Sequence, residues 1–277
     1  MKSERKAVTQ RRVSRGGAEA DDSVAVEEPL DIRVAGETVA VTMRTPGADH
    51  ELALGFLFSE GVLHGLEDVG SVFHCGRADE EGYGNSIEVT PAPGAHVVLR
   101  RVDAARRGTL TTAACGICGR QSIDDLVAQC GPVPAFAPLP HELLAHGPLA
   151  LRGVQPAFDV TGGIHAAAVL DRRGAILASA EDVGRHNAVD KAVGMLLRAR
   201  QIPAQRTPGG PEVLVVSGRA SFEIVQKAAV ARLAAVVSVS AASSLAIDLA
   251  TRTGLVLASF ARGGAAQLYA GAGLVTG

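Results

Sequence analysis

Two cysteines separated by two residues form the pattern with the clearest chemical potential, Cys115-Gly-Ile-Cys118, followed by Gly119 and Arg120. A cysteine attacks as its thiolate, and a nearby cation or the start of a helix favours that form. Arg120 supplies a positive charge, and Ser122 is predicted to start a helix. The flanking glycines permit backbone conformations that expose the sulfur atoms. A thiolate in this loop can attack a persulfide and carry its outer sulfur onward.

Three interpretations of the cysteine pair stay open from the residues alone. The thiols are unrelated and buried, or they supply two ligands of a zinc site, or they perform redox or sulfur-transfer chemistry. A structural zinc site takes four ligands, and no second pair follows at the usual spacing, because Cys75 and Cys130 each stand alone. We therefore expect no bound metal and favour Cys115 and Cys118 as catalytic residues. The spacing by itself does not separate disulfide exchange from sulfur transfer.

A second group of residues is typical of anion binding. Loops rich in Gly, Ser, Arg and His follow predicted strands or precede predicted helices in the second half of the chain. Open α/β sheets bind ligands at the carboxyl ends of their strands, where helix N–H groups and arginines suit phosphate. A carboxylate there can accept hydrogen bonds from a guanine edge. The residues predicted to bind in this way are Asp182, Arg185, His186, Asp190, Ser217, Arg219 and Ser243.

Each of these residues also has a structural interpretation. Ser217-Gly-Arg219 and Ser243 are typical helix caps, and Arg185 with His186 between two aspartates is compatible with a surface salt-bridge cluster. A lone histidine such as His165 is more often structural than catalytic. The repetition of such loops at one predicted edge of the sheet favours binding, although the chain contains neither a P-loop nor a dinucleotide fingerprint.

The elements that must position these residues divide the chain into parts. Short β-rich runs and one helix near residues 50–58 are predicted in the first part, whereas strands and helices alternate after Phe158. This alternation predicts parallel pairing and a three-layer α/β core. The expected organisation is a disordered basic tail over 1–22, a β-rich N-terminal subdomain over 23–105, a CxxC loop and linker over 106–140, and an α/β binding core over 141–277.

The composition argues against several classes of protein. The formal charge is −2, from 27 basic and 29 acidic residues, which does not favour nucleic acid or a membrane surface as a partner. Six of the first 15 residues are basic and few are apolar, which predicts disorder there. No apolar stretch follows Arg11-Arg12, so an export signal is not expected, and the apolar run at 233–242 is too short to span a membrane. We expect a cytoplasmic protein with reduced thiols.

Taken together, the motifs resemble those of the FdhD family, the accessory sulfurtransferases of formate dehydrogenases. The resemblance covers about residues 25–270, and its joint pattern is highly specific. It implies an α/β fold with a three-layer cytidine-deaminase-like core and a β-rich N-terminal subdomain. Deamination is not implied, because the zinc-binding signature of the deaminases is missing. The matching segments are Glu51–Gly61, Cys115–Gly119, Phe158–His165, Glu181–Lys191, Ser217–Lys227, Ser238–Leu249 and Phe260–Gly264.

The resemblance also implies a function. Family members accept persulfide sulfur from a cysteine desulfurase and transfer it to Mo-bis(molybdopterin guanine dinucleotide), the molybdenum cofactor that the catalytic subunit of formate dehydrogenase requires. By resemblance, Cys115 carries the persulfide with Cys118 as its companion, GDP is an expected mimic of the cofactor, and the protein is a homodimer. The alternative is a chaperone that binds the cofactor without obligatory sulfur transfer. The loop implied to bind the cofactor consists of Phe260, Ala261, Arg262, Gly263, Gly264 and Ala265.

Overall fold

A computed structural model gives the fold of the chain and describes residues 6–16, 18–77, 82–95, 130–205 and 207–277. Cys115, Cys118 and the helix predicted from Ser122 lie outside these residues. The fold is mixed α/β with several sheets, as the sequence predicted, and its likeness to cytidine deaminases stays a prediction. No helix within the described ranges is both long enough and apolar enough to cross a membrane.

The N-terminal part is built from strands and one helix. A sheet with the strand order β4-β3-β6-β5 has one apolar face, which packs against α1 and continues into the core of the second half. The elements, in chain order, are β1 (Val8–Arg15), β2 (Ala18–Ala25), β3 (Glu28–Val34), β4 (Glu37–Arg44), α1 (Asp49–Ser59), β5 (Val69–His74) and β6 (Ser86–Pro91).

The disorder predicted for residues 1–22 is wrong for the part that the structure describes. Strand β1 pairs with β2 in an antiparallel hairpin, and Gly16 takes a φ of 61° at its turn. The basic side chains of β1 lie opposite acidic side chains of β2, so that Arg12 Nη2 is 2.8 Å from Glu19 Oε2. The prediction counted the basic residues alone and missed that the following acidic residues complement them. The predicted boundary at residue 23 consequently falls inside β2.

A six-stranded sheet forms the centre of the second half, with the order β13-β12-β11-β10-β8-β9. Strands β10, β11 and β12 are parallel, as the alternation of strands and helices predicted, and β8 and β9 form an antiparallel hairpin. Strand β8 runs antiparallel to β10, which was not predicted. The elements are β7 (Leu139–Pro140), α2 (His141–Arg152), α3 (Pro156–Thr161), β8 (His165–Leu170), β9 (Ile176–Asp182), α4 (Arg185–Arg198), β10 (Val213–Val216), α5 (Phe222–Val230), β11 (Ala235–Ser238), α6 (Ser244–Thr253), β12 (Val256–Arg262), β13 (Ala265–Ala270) and β14 (Val275–Thr276).

Both faces of the main sheet are buried. Alternate side chains such as Leu214 and Val236 belong to a core shared with α1, α4, α5 and α6, whereas Val215 and Val237 belong to the core beneath α2. The alternation follows from the two-residue period of a strand, which sends neighbouring side chains to opposite faces. The loops at the strand ends are therefore held between two packed layers of helices.

Helices α1 and α4 cross with their backbones in close approach. A Cβ atom on Gly55 would lie 1.9 Å from the carbonyl oxygen of Asp190, and one on Gly194 would lie 1.9 Å from that of Glu51. Only glycine fits at such a crossing. Because Arg185 is the first residue of α4, this contact fixes the position of one predicted site loop relative to the N-terminal part.

Candidate functional site

The loops that the sequence predicted to bind a ligand meet at one edge of the main sheet. Ala220 N donates to the carbonyl oxygen of Ala241 at 3.1 Å, and Phe260 N donates to that of Ser240 at 3.1 Å. These bonds join the three loops that follow the parallel strands β10, β11 and β12. With the adjoining ends of their elements, the site segments are 181–187 at the end of β9 and the start of α4, 217–221 after β10, 239–243 after β11 and 260–265 around the turn between β12 and β13.

The starts of α4 and α5 lie side by side at this edge. His186 Nε2 on α4 is 3.3 Å from Ser221 Oγ and 2.9 Å from Glu223 Oε2 on α5. Neither helix has a side-chain hydrogen bond from its N-cap residue, and α4 has no acidic residue in its first turn. The N-terminus of a helix attracts anions when its backbone N–H groups are not capped.

Three arginines of these loops have no carboxylate partner among the residues that the structure describes. Arg219 and Arg262 are exposed, and Arg185 is half-buried. The Nε of Arg185 is buried and donates to no acceptor. Because a buried guanidinium N–H without an acceptor is unfavourable, the arrangement suits an anionic ligand at this edge.

His165 lies at the start of β8, half-buried against the loop that follows β10. The position of a Cβ on Gly218 is 3.4 Å from His165 Nδ1 and 3.6 Å from Arg185 Cδ. Burial lowers the pKa of His165 below its ordinary value of 6.5, and the charges of Arg185 and His186 lower it further, while Asp182 opposes them. These contributions favour the uncharged imidazole.

Asp182, predicted to contact the ligand, is fully buried and accepts hydrogen bonds from four donors of the protein itself. Lys191 Nζ lies 2.7 Å from its carboxylate, Gly184 N lies at 2.8 Å, and Thr45 N and Asn187 Nδ2 each lie at 3.1 Å. An ionised carboxylate accepts about four hydrogen bonds, so these donors occupy it. We assign Asp182 to positioning the loop that carries Arg185, and not to contact with a ligand.

Asp190, also predicted to contact the ligand, is engaged inside the protein as well. Lys227 Nζ lies 2.7 Å and 2.9 Å from its two carboxylate oxygens, and Ser59 Oγ donates to it at 3.2 Å. Burial lowers the pKa of Lys227, but the charges of Asp190 and Glu60 outweigh burial and raise it. The ion pair joins α4 to α5, the Ser59 bond adds α1, and the carboxylate of Asp190 is thereby occupied inside the protein.

Thr45 positions the site, although nothing in the sequence marks it. Besides its own N–H bond to Asp182, its Oγ1 accepts from Val183 N at 3.2 Å and its carbonyl oxygen accepts from Lys191 Nζ at 2.7 Å. Asn187 adds a bond from Nδ2 to the carbonyl oxygen of Met43 at 2.7 Å. The end of β4 is thus bonded directly to the loop between β9 and α4.

The two predicted serines make internal hydrogen bonds. Ser217 Oγ accepts from Ala166 N at 2.9 Å and so joins the end of β10 to the start of β8. Ser243 Oγ accepts from Ala246 N at 3.3 Å and caps α6. Ser243 is therefore a helix cap, as its structural interpretation held, whereas Ser217 joins two strands and caps no helix in the described part of the chain.

The loop 260–265 is the turn of a β-hairpin. Gly263 and Gly264 have φ values of 59° and 79°, which a two-residue turn of this kind requires at both central positions. Phe260 has a φ of 52°, an unusual conformation for a residue with a side chain, beside a register shift in β12. Ala261 is buried, whereas residues 262–265 are exposed. The turn therefore presents Arg262 and the backbone of two glycines to the surroundings.

Comparisons with known proteins agree on one family. Residues 25–276 match the model of the FdhD/NarQ family. The sulfur carrier protein FdhD of Anaeromyxobacter dehalogenans strain 2CP-C is 55% identical over 265 residues, which are 95% of this chain and 92% of that protein. The sulfur carrier protein FdhD of Nocardia farcinica is 47% identical over 254 residues, 91% of this chain and 87% of that protein.

A solved structure has the same fold. It is the crystal structure of a protein from Desulfotalea psychrophila, described as a candidate formate dehydrogenase accessory protein. The TM-score is 0.70 at 22% identity, and the match covers 97% of this chain and 98% of that one. With the family model and the relatives at about half identity, these findings lead to one conclusion. The chain belongs to the FdhD/NarQ family.

Proposed function

We propose that the protein is a sulfur carrier that supports formate dehydrogenase by transferring sulfur to the molybdenum cofactor of that enzyme. The observation that carries the proposal is the 55% identity, over 95% of the chain, to a protein named as a sulfur carrier. The paired cysteines of the sequence, Cys115 and Cys118, supply the chemistry that such a role needs. The substrate is Mo-bis(molybdopterin guanine dinucleotide), and the sulfur donor is the persulfide of a cysteine desulfurase.

The loading step is a thiol exchange. The Cys115 thiolate attacks the outer sulfur of the donor persulfide, so that a new S–S bond forms on Cys115. The S–S bond of the donor breaks, and its electron pair stays on the donor cysteine as a thiolate. Cys118 is the companion thiol. The step needs reduced thiols at rest, which suits a cytoplasmic location.

The edge of the main sheet is the proposed binding site for the guanine nucleotides of the cofactor. Three arginines without a carboxylate partner among the described residues, together with the start of α4, supply the positive potential that phosphate groups require. GDP, which carries the same guanine and diphosphate, is the proposed mimic. The cofactor has two such nucleotides, so a two-fold homodimer with one site on each subunit matches its composition.

Intact-mass measurement tests the sulfur-carrier role. After incubation with a cysteine desulfurase and cysteine, the protein should gain the mass of one sulfur atom, and a reducing agent should remove it. The gain should disappear in Cys115→Ala and persist in Cys130→Ala, the matched control outside the CxxC pair. Unmodified wild-type protein that still binds GDP would instead support the alternative, a cofactor chaperone without obligatory sulfur transfer.

A further inference from the structure

A cleft lies between α2 and the turn that joins β8 to β9, and we call it the α2 cleft. Its volume is about 460 Å³, and sites for small molecules typically have volumes of about 300–1,000 Å³. None of the residues predicted to bind the cofactor, all of which the structure describes, lines this cleft. Its lining includes Glu142, Leu143, His146 and Ala150 on the helix side and Leu170 and Arg173 on the other side.

Hydrogen bonds hold the turn on one side of the cleft in a fixed conformation. Asp171 Oδ1 accepts from Arg173 N and from Ala175 N at 2.8 Å each, which closes the turn. Arg172 Nη1 lies 3.2 Å from Glu212 Oε2, so that this neighbouring arginine is already paired. The turn is therefore formed before any ligand arrives, and binding does not have to order it.

The helix side of the cleft meets the turn directly. Leu143 Cδ1 lies 3.6 Å from the position of a Cβ on Gly174, which brings the chain neighbours Glu142 and Arg173 to facing sides of the cleft. His146 Nδ1 is 3.1 Å from the carbonyl oxygen of Glu142. Because a carbonyl oxygen only accepts, Nδ1 carries the proton, and Nε2 of the neutral ring is left as an acceptor.

Opposite charges line the two sides of the cleft without pairing with each other. Glu142 and Arg173 are both exposed, and within the described part of the chain neither side chain makes an ion pair or a hydrogen bond. Leu143, Ala150 and Leu170 add apolar surface to the same cleft. A ligand that matches all of these groups has a cationic group, an anionic group and an apolar part.

We propose that the α2 cleft binds a free α-amino acid with an aliphatic side chain. The ammonium group of the amino acid pairs with Glu142 and donates to His146 Nε2, and its carboxylate pairs with Arg173. The aliphatic side chain covers the apolar surface of the cleft. An α-amino acid combines the three features in one small zwitterion, and this site is independent of the proposed nucleotide site.

His146 places the cleft next to the loop 260–265 without making that loop part of it. Its Nε2 lies 3.6 Å from the position of a Cβ on Gly264, in the turn between β12 and β13. The cleft itself is lined by α2, Leu170 and the β8–β9 turn. Amino acid and GDP should therefore bind at the same time, and titration with each ligand in the presence of the other measures this directly.

Calorimetric titration with L-leucine and two analogues tests the chemistry of the ligand. L-leucinamide lacks the carboxylate, and 4-methylpentanoate lacks the ammonium group. Each analogue should bind about fivefold to tenfold more weakly than L-leucine, because it loses one charge contact that an open cleft screens in part. Equal affinity for L-leucine and either analogue would overturn the assignment of a zwitterion.

Variants of the two charged residues test the place of binding. Glu142→Gln and Arg173→Gln should each weaken L-leucine by the same factor. Arg173→Gln should not weaken L-leucinamide further, and Glu142→Gln should not weaken 4-methylpentanoate further, since in each case the contact is already lost. Glu27→Gln is the control, because that glutamate is exposed and lies outside the cleft.

A third variant fills the cleft without removing a charge. Ala150→Leu keeps a good helix former on α2 and places three more carbon atoms in the cleft, so it should abolish binding of L-leucine. Thermal unfolding of each variant verifies that the fold is kept.

The outcomes distinguish the amino-acid site from the nucleotide site. A wild-type protein that binds GDP but not L-leucine would refute the amino-acid site and leave the nucleotide site standing. Binding of L-leucine that none of the three cleft variants changes would place the ligand elsewhere and would also refute it. Competition between L-leucine and GDP would show that the cleft belongs to the nucleotide site and would overturn its independence.

Discussion

At the scale of single residues, the charged side chains at the candidate site, where the loops of the main sheet meet, are of two kinds. The carboxylates of Asp182 and Asp190 are buried, and donors within the protein occupy them. The guanidinium groups of Arg185, Arg219 and Arg262 have no carboxylate partner in the described part of the chain. Acidic charge is therefore used to position the loops, and basic charge is left for a ligand.

The contrast between occupied carboxylates and available arginines leads to a prediction about the affinity for GDP. Arg185→Ala and Arg262→Ala should each weaken GDP binding by about 1.5–3 kcal/mol, a tenfold to hundredfold rise in the dissociation constant, because each loses a charge-assisted contact with phosphate. Calorimetric titration measures the dissociation constant for GDP. Arg173→Ala is the control, because that exposed arginine lies in the β8–β9 turn at the opposite end of the strands. Equal affinity of the wild-type protein for GDP and ADP would remove guanine selectivity from the proposal.

Substitution of Lys191 tests whether buried Asp182 stabilises the fold through its ion pair. Lys191→Met removes the cation 2.7 Å from Asp182 and leaves a buried charge uncompensated, so the free energy of unfolding should fall by about 3–5 kcal/mol. The more exposed ion pair of Arg198 with Glu51 provides the comparison, and Arg198→Ala should cost about 0–1 kcal/mol. Urea unfolding of both variants gives the two values. A loss below about 1 kcal/mol in Lys191→Met would show that Asp182 does not need the cation.

The sequence identified the loops of the candidate site, but it did not predict that donors within the protein occupy their carboxylates. Glycine, serine and arginine at strand ends are local features, so loops 181–187 and 217–221 could be found without the fold. Whether Asp182 is free or occupied depends on Thr45, which lies 137 residues away and follows a strand of the other sheet. A carboxylate between basic residues looks the same in the sequence in either case.

At the scale of secondary-structure elements, the crossing of α1 and α4 decides how the two halves fit. A helix near residues 50–58 and helices alternating with strands after Phe158 were predicted, but the close approach of the α1 and α4 backbones depends on two glycines far apart in the sequence. Gly55 and Gly194 each stand where a Cβ would overlap a carbonyl oxygen of the other helix. The same crossing places Asp190 beneath α1 and Arg185 at the edge.

Gly55→Ala and Gly194→Ala measure the strength of this constraint. Alanine in a helix is intrinsically better than glycine by about 1 kcal/mol, so a free helix would be stabilised. Here the methyl group would meet backbone at 1.9 Å, and the helices must separate, which should cost about 1–3 kcal/mol more than the gain. Thermal unfolding should show a lower midpoint for both variants. The midpoint of the control Gly273→Ala should be unchanged, because a Cβ there meets nothing within 4 Å. A raised midpoint would mean that the helices are not in this contact.

Other elements were missed because distant residues stabilise them. The β1–β2 hairpin depends on acidic residues that follow the basic run, and α3 depends on Glu181, whose carboxylate bonds to two N–H groups at its start. Local periodicity predicts an element well when packing of its apolar face stabilises it. It predicts an element poorly when a polar group far away in the sequence stabilises it.

At the scale of the whole molecule, the parts form one connected unit around the binding edge. A continuous core joins the N-terminal sheet to α4 and α5, and the Thr45 contacts bond β4 to the loop that presents Arg185. Both halves of the chain thus position the loops of the proposed nucleotide site. The proposed sulfur carrier, by contrast, depends on Cys115 and Cys118, two thiols within a few residues of each other.

This separation predicts that sulfur transfer and cofactor binding can be uncoupled. In cells that lack the native protein, Cys115→Ala should abolish formate dehydrogenase activity, because no persulfide forms, while the purified variant binds GDP with wild-type affinity. Cys130→Ala should restore activity fully, since that residue lies outside the CxxC pair and packs, partly buried, against the core. Protein levels must be matched by immunoblotting. Normal activity of Cys115→Ala at a normal protein level would contradict the carrier role of that cysteine, and loss of GDP binding in that variant would show that the cysteine loop is part of the nucleotide site.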